Sequence, residues 1–327
     1  MNLTTSYLGI ELEHPFVVGA SPLTADLDSA RRLEDAGAAA LVLPSLFEEQ
    51  IVGEQVASEI YLDATSLAYA ESAFLQPPLE TWAIGPDGYY EHVAALKRAV
   101  DVPVVASLNG TTLGYWLRTA AFLESAGADA LELNVYRLAT DPARGADEIE
   151  HEAIEMVRAM RDAVRIPIAV KLCPFYTSLA HFGERLVGAG ADGLVLFNRF
   201  YQPDFDVEKL EVARTLRYSD SSELLLRLHW LAILHGRLRC SLAASGGVHQ
   251  PVDAVKAILA GADAVQLVSA LIVDGPQALH RVKEGFVEWL AGHDYVSLEE
   301  LRGALSLERC ESPEIYERAN YVRLLQR

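Results

Sequence analysis

The chain has 327 residues, 51% of them apolar and 22% charged, which suits a large packed core and a barrel with insertions better than a small domain. A formal charge of −19 argues against nucleic acid and anionic membrane as partners, because both would repel such a surface. No apolar run reaches the length of a membrane span and no secretory leader follows Met1. Cys173, Cys240 and Cys310 are too scattered for a metal centre or a disulfide framework, so a cytoplasmic setting is expected.

In chain order, a first strand is predicted near 16–20 and a second near 40–43, joined by a helix that closes on Gly37. That unit recurs. Segments 33–43, 123–133, 186–196 and 258–267 each end a helix on a small-residue turn and continue as an apolar run. Gly37, Gly127, Gly190 and Gly261 fall where a helix C-terminus needs positive φ. The runs that follow suit strands buried on both faces. A second pattern, at 102–107 and 166–171 with a weaker copy at 239–245, interleaves with the first. Strands are thus predicted near 16–20, 40–43, 104–107, 130–134, 168–172, 193–197, 241–245 and 264–268. Amphipathic helices over 89–100, 116–126, 148–164 and 251–260 separate them.

Strand–helix units with a two-unit period predict an α/β fold, a closed (β/α)8 TIM barrel. The competing open, doubly wound sheet is disfavoured because no Gly-rich dinucleotide turn follows the first strand. Two stretches exceed ordinary loop length, 45–88 after strand 2 and 198–222 after strand 6. Both leave strand C-termini, where barrel enzymes keep their chemistry, as lids, pocket walls or a dimer contact. The charged tail 292–327 is predicted to be helical and to pack on the barrel or on a neighbouring subunit. No linker divides the chain, so 1–327 reads as one domain.

A phosphate seat is predicted after strands 7 and 8. Gly246 and Gly247 let backbone N–H groups approach an anion, and Val268 and Ser269 follow the last strand. Lys171, at the end of an apolar strand, calls for an anionic partner. The alternative is an inward lysine paired with Glu132 of the neighbouring strand. Asn134 and Asn198 bring amides to the same rim.

Several motifs in this order resemble the dihydroorotate dehydrogenase family: 14–21 (HPFVVGAS), 132–134 (ELN), 169–172 (AVKL), 196–198 (LFN), 245–248 (SGGV) and 261–267 (GADAVQL). The resemblance covers almost the whole chain. It implies an FMN-dependent oxidoreductase acting on CH–CH bonds, placed in pyrimidine metabolism, cytoplasmic and homodimeric. An external electron-transfer partner is a further possibility. It implies that Ala20, Ser21 and Ser107 line the flavin site. Lys171 would stabilise negative charge on the reduced ring, with Asn134 and Asn198 facing flavin and substrate. Gly246, Gly247, Val268 and Ser269 would hold the phosphate. The sequence resembles the soluble branch, without that family's membrane-associating N-terminal helix.

Departures from the family cluster at the reactive rim. Where the family carries a Cys or Ser base this chain has Arg137, and where a substrate-binding Asn follows it has Ala139. Pro44-Ser45 replaces Lys-Ser, the Asn-rich substrate loop has become 72–78, and 219–223 has no Gly-Gly. Arginine stays protonated and cannot take a proton from carbon. The expectation is a flavin enzyme for another small carboxylic acid, with Arg137 as its clamp and Tyr136 as proton donor. Alternatively, strand alternation turns one of these two away and the arginine pairs with an acidic neighbour. A catalytically silent flavin-binding barrel or subunit, and a non-redox isomerase or lyase for a phosphate ligand, are the competing functions. Cys173 is expected as a packed hydrophobe, with approach to the site as the alternative, His249 as a helix-start residue, with phosphate contact as the alternative, and Glu48, Glu49 and Glu54 as a solvated face.

Overall fold

A computed structural model describes residues 1–48, 86–110, 112–135, 137, 139–199, 202–213 and 217–317. Its frame is a closed parallel barrel made of β3 (Phe16–Val18), β4 (Leu41–Phe47), β5 (Val104–Asn109), β6 (Ala130–Val135), β7 (Ile168–Leu172), β8 (Gly193–Leu196), β11 (Ser241–Ser245) and β12 (Ala264–Leu267). Consecutive strands are neighbours and β12 pairs with β3. The (β/α)8 expectation therefore holds and the open sheet does not. Helices Pro86–Ala99, Leu113–Ser125, Ala146–Ala163 and Pro251–Ala260 stand where amphipathic segments were predicted. Gly37, Gly127, Gly190 and Gly261 take φ of +93°, +97°, +110° and +112°, as the helix-ending turns require.

Side-chain alternation divides the strands into two cores. One set faces the helices. The other points into the barrel, where Val17, Val42, Val105, Ala130, Ala169, Val195, Ala243 and Ala264 form a separate cluster with Tyr7, Leu8 and Leu12. Those last three come from a hairpin that the sequence did not reveal, β1 (Thr5–Tyr7) against β2 (Ile10–Leu12), which plugs one end of the barrel. The plug packs closely on Gly193, where a Cβ would lie 2.5 Å from Leu8 Cδ2 and 3.1 Å from Ser241 O. Above the small-residue layer the inward positions turn polar, with Glu132, Asn134, Lys171 and Gln266 all buried.

β4 runs past its predicted end to Phe47, with a register shift against β5 between Val42 and Ser45. Pro44, which has no N–H for a ladder, sits in that gap. The rest of the first insertion, with Glu49, Glu54 and the 72–78 loop, lies outside the described residues. Glu48 accepts from Thr112 N–H at 3.0 Å. The second insertion holds another unpredicted hairpin, β9 (Asp204–Asp206) with β10 (Glu211–Ala213).

The helical tail needs correction. The long helix Gln277–Gly292 ends where the tail begins, and beyond it only single turns, Leu298–Leu301 and Glu314–Glu317, are helical among the described residues. The tail instead supplies donors to helix ends. Gly303, Leu305 and Leu307 N–H reach the carbonyls of Ile258, Leu259 and Ala232 at 2.9, 2.9 and 2.8 Å, all in the last turns of their helices, with Ile258 O also accepting the Gly261 N–H. Arg302 locks it to Asp263 at 2.7 Å.

His14, buried at the start of β3, accepts the Phe16 N–H at 3.3 Å. Burial, then the nearby Lys283 charge, pushes its imidazole down from 6.5 to about 4. The folded state thus refuses a proton that the unfolded chain takes. Its contribution is whole above pH 6.5 and is lost as pH falls towards 4, up to about 3 kcal/mol. Urea titrations of His14→Asn should show a shallower loss of stability across that window than the parent protein. Parallel curves would refute the assignment.

Candidate active site

Two cavities open around the C-terminal ends of the strands, separated by the alternation of β6. Asn134 lines the smaller, of about 370 Å³, together with Ala20, Ser21, Ser45, His92, Lys171 and Asn198. Val135 lines the larger, of about 820 Å³, with Arg137, Ala139, Glu152 and Cys173. The predicted flavin-side residues and the predicted substrate-side arginine thus lie in different cavities.

The smaller cavity has a continuous polar wall. Asn198 Nδ2 donates to Asn134 Oδ1 at 2.8 Å, and Asn134 Nδ2 reaches Ser45 Oγ at 3.5 Å. Ser45 Oγ lies 2.7 Å from Ser107 Oγ. Ser107 is fully buried and touches the cavity through Ser45 rather than lining it. Tyr89 braces this wall by donating to Pro44 O at 2.8 Å, and burial holds its phenol well above the ordinary range. His92 Nε2 lies 2.9 Å from the Thr24 carbonyl, an acceptor that assigns the imidazole proton to Nε2.

Lys171 forms part of the floor. Its Nζ donates to Glu132 Oε1 at 3.1 Å and to Gln266 Oε1 at 3.2 Å, while Gln266 Nε2 donates to Glu132 Oε2 at 2.6 Å. The lysine therefore carries both readings offered by the sequence, an inward ion pair and a cavity-facing cation. Glu132 and Gln266 are 1% and 0% exposed, so the charge pair is almost wholly out of water.

The glycine turn after β11 forms a second polar cluster. Gly247 N–H donates to Ser219 Oγ at 3.3 Å, and Ser219 Oγ lies 3.0 Å from Ser269 Oγ and 3.4 Å from His249 Nε2. Ser219 N–H also donates to Ser269 Oγ at 3.2 Å. Behind the turn, buried Arg227 donates from Nε to Ser245 O at 2.8 Å, and a Cβ on Gly246 would sit 2.9 Å from its Nη2. Val268 closes on Gly19, where a Cβ would lie 2.6 Å from Val268 Cγ2. An acidic protein has here a local cation behind hydroxyl and amide donors. Ser219 and Arg227 were missed because each stands in an unremarkable context, a serine-rich loop and an apolar helix.

In the larger cavity, Arg137 is ion-paired to Glu152, whose other oxygen is taken by Arg144. Cys173 is buried against Tyr176, whose phenol burial holds well above its ordinary range. Tyr136 lies outside the described residues.

The donor set can be tested against a flavin phosphate. Ser21 Oγ, in the wall of the smaller cavity, is buried with no partner among the described residues, a group that a polar ring edge would satisfy. The Gly247–Ser219–Ser269–His249 cluster offers donors to an anion with Arg227 behind it. The residues fit.

The family model described as dihydroorotate dehydrogenase matches residues 83–290. A putative dihydroorotate dehydrogenase A (fumarate) of Aeropyrum pernix is 31% identical over 66% of this chain and 72% of its own. The catalytic subunit of a dihydroorotate dehydrogenase B (NAD(+)) of Geobacter sp. is 30% identical, covering 68% and 75%. Its counterpart in Methanothermobacter thermautotrophicus is 26% identical over 92% of this chain and 97% of its own. No helix among the described residues is long and apolar enough to cross a membrane.

Proposed function

The chain belongs to the dihydroorotate dehydrogenase family, and within it we propose an FMN-dependent oxidoreductase for a small carboxylic acid other than dihydroorotate. The observation that carries the reading is Arg137. At the place where the family keeps its proton acceptor stands a cation, tied to Glu152 and lining a different cavity from Lys171. A guanidinium cannot accept a proton at working pH, and Ala139 offers no amide to a pyrimidine. A site that loses such partners loses its discrimination for the polar ligand they bound.

FMN, when bound, supplies the two-electron redox chemistry. Ser21, Asn134 and Asn198 would hold its polar ring edge, with Ala20 against it and Ser107 supporting Ser45. Lys171 would offer positive charge from below. Gly246, Gly247, Val268, Ser269 and Ser219 would hold its phosphate, with Arg227 opposing the anionic charge. A substrate carboxylate beside the flavin would engage Arg137 only by drawing it away from Glu152 and out of the larger cavity, and Tyr136 would supply a proton. The protein would act in the cytoplasm as a homodimer and pass electrons to an external acceptor.

A visible spectrum of the purified protein tests the first half, with the oxidised flavin bands expected. Anaerobic addition of small carboxylic acids tests the second. One of them should bleach those bands while dihydroorotate leaves them intact. Bleaching by dihydroorotate would overturn the substrate assignment. A flavin that no acid bleaches points to the silent barrel, and a colourless protein to the non-redox alternative.

A further inference from the structure

Glu132 is the feature that the functional reading leaves unused. Its carboxylate is 1% exposed and both oxygens are engaged, one by Lys171 and one by Gln266. Gln266 also accepts from Lys171 and bonds the Tyr7 hydroxyl of the barrel plug. The amide is thereby fixed in one orientation, since a flip would present a donor to the lysine and an acceptor to the carboxylate. Lys171 has three N–H donors, of which two point at Glu132 and Gln266, leaving one for the cavity that it lines.

The electrostatic consequence follows from placement. Lys171 is the one Lys, Arg, Asp or Glu among the described residues lining the smaller cavity. Its partner lies 3.1 Å from the ammonium on the side away from water. In a weakly screened interior a charge at that distance offsets much of the field its neighbour sends into the cavity. A ligand on the cavity floor meets a dipole rather than a full positive charge.

We propose that Glu132 is a positioning residue that pins Lys171 to the cavity floor and cancels most of its charge, so that a bound flavin is harder to reduce than a lone lysine would make it. The inference rests on the FMN reading of the same cavity. It assigns to Glu132 the setting of the midpoint potential and to Gln266 the orientation of Glu132.

The test is a reductive titration of the FMN-containing full chain against a reference dye at neutral pH. Glu132→Gln keeps the shape and removes the opposing charge. It should favour the reduced form by about tenfold, which for two electrons is about 30 mV upward. Glu132→Asp, which keeps the charge, should stay close to the parent. The paired variant Lys171→Met with Glu132→Gln, which removes both charges, should also stay close. Should Glu132→Gln fail to retain FMN, Lys171→Gln gives the same reading with opposite sign, a fall in potential caused by the uncompensated carboxylate. An unmoved midpoint in a flavin-containing Glu132→Gln or Lys171→Gln protein overturns the inference. So does an equal shift in Glu132→Gln and the doubly neutral variant, because packing alone would then explain both. A parent protein without flavin bands instead overturns the FMN reading itself.

Discussion

Replacing Gly247 by alanine is expected to cost about 2–5 kcal/mol and, on the proposed function, to remove most of the bound FMN. Two effects add. The residue has φ of +82°, a conformation that costs an L side chain about 1–2 kcal/mol. A Cβ there would also lie 2.6 Å from Leu224 N and 2.9 Å from Leu224 Cα. That neighbour is the first turn of the helix Leu224–Leu234 and not the end of a flexible side chain, so the helix itself must shift. Such overpacking adds about 1–3 kcal/mol. The shift would also carry Gly247 N–H and Arg227 out of place, which removes the anion seat together with the stability. Urea denaturation and the ratio of visible to protein absorbance measure the two effects. Gly188→Ala is the control, in a helix with open space around it, and should be neutral or stabilising by up to about 1 kcal/mol. A Gly247→Ala protein with parental stability and full FMN would dismiss the seat.

The barrel was legible because its signals are local. A glycine ending each helix and a continuous apolar run after it need only a few neighbouring residues, and both Gly127 before β6 and Gly261 before β12 behave as that pattern requires. The hairpin Thr5–Leu12 was not legible. Its strands are three residues long, and its apolar residues are fixed by the barrel end that they fill rather than by any period of their own. The helix predicted for the tail failed for a related reason. The tail packs on the barrel as expected, but Gly303 at φ +70° and the end carbonyls of two neighbouring helices decide its path. Tertiary acceptors overrode local composition.

The site divides along the same line. Lys171, Asn134 and Asn198 could be found because a polar residue at the end of an apolar strand has few places to go, Ser21 came only through the family resemblance, and the smaller cavity gathers all four. Gln266 could have been found by the same argument, since it interrupts the apolar strand β12 on the inward parity shared with Ala264. Arg137 shows where parity reasoning stops. Val135 and Arg137 share a side of the chain leaving β6, yet the arginine's direction is settled by Glu152 and Arg144, which lie beyond the strand in the loop and helix that follow it. No spacing within the strand contains that information.

Lys171→Met is the second large effect, and it isolates the ion pair from the cavity. Removing the ammonium leaves the Glu132 carboxylate buried with Gln266 as its remaining partner, a loss of about 3–5 kcal/mol when one member of a buried pair is deleted. Deleting the second charge should give most of that back, because two neutral side chains of similar volume need no mutual compensation. Adding Glu132→Gln to Lys171→Met is therefore expected to recover about 2 kcal/mol or more, measured as the midpoint of urea unfolding at constant slope. Simple additivity of the two substitutions would mean that lysine and glutamate do not sense each other, which a 3.1 Å contact in a dry layer does not allow. Recovery of stability would show that the barrel tolerates a neutral floor. The bottom layer of the barrel, with Ala130, Ala169, Ala243 and Ala264 under the Tyr7–Leu8–Leu12 plug, already packs without any charge. The layer above it could have been built the same way, so on the proposed function the pair answers to the site and not to the fold.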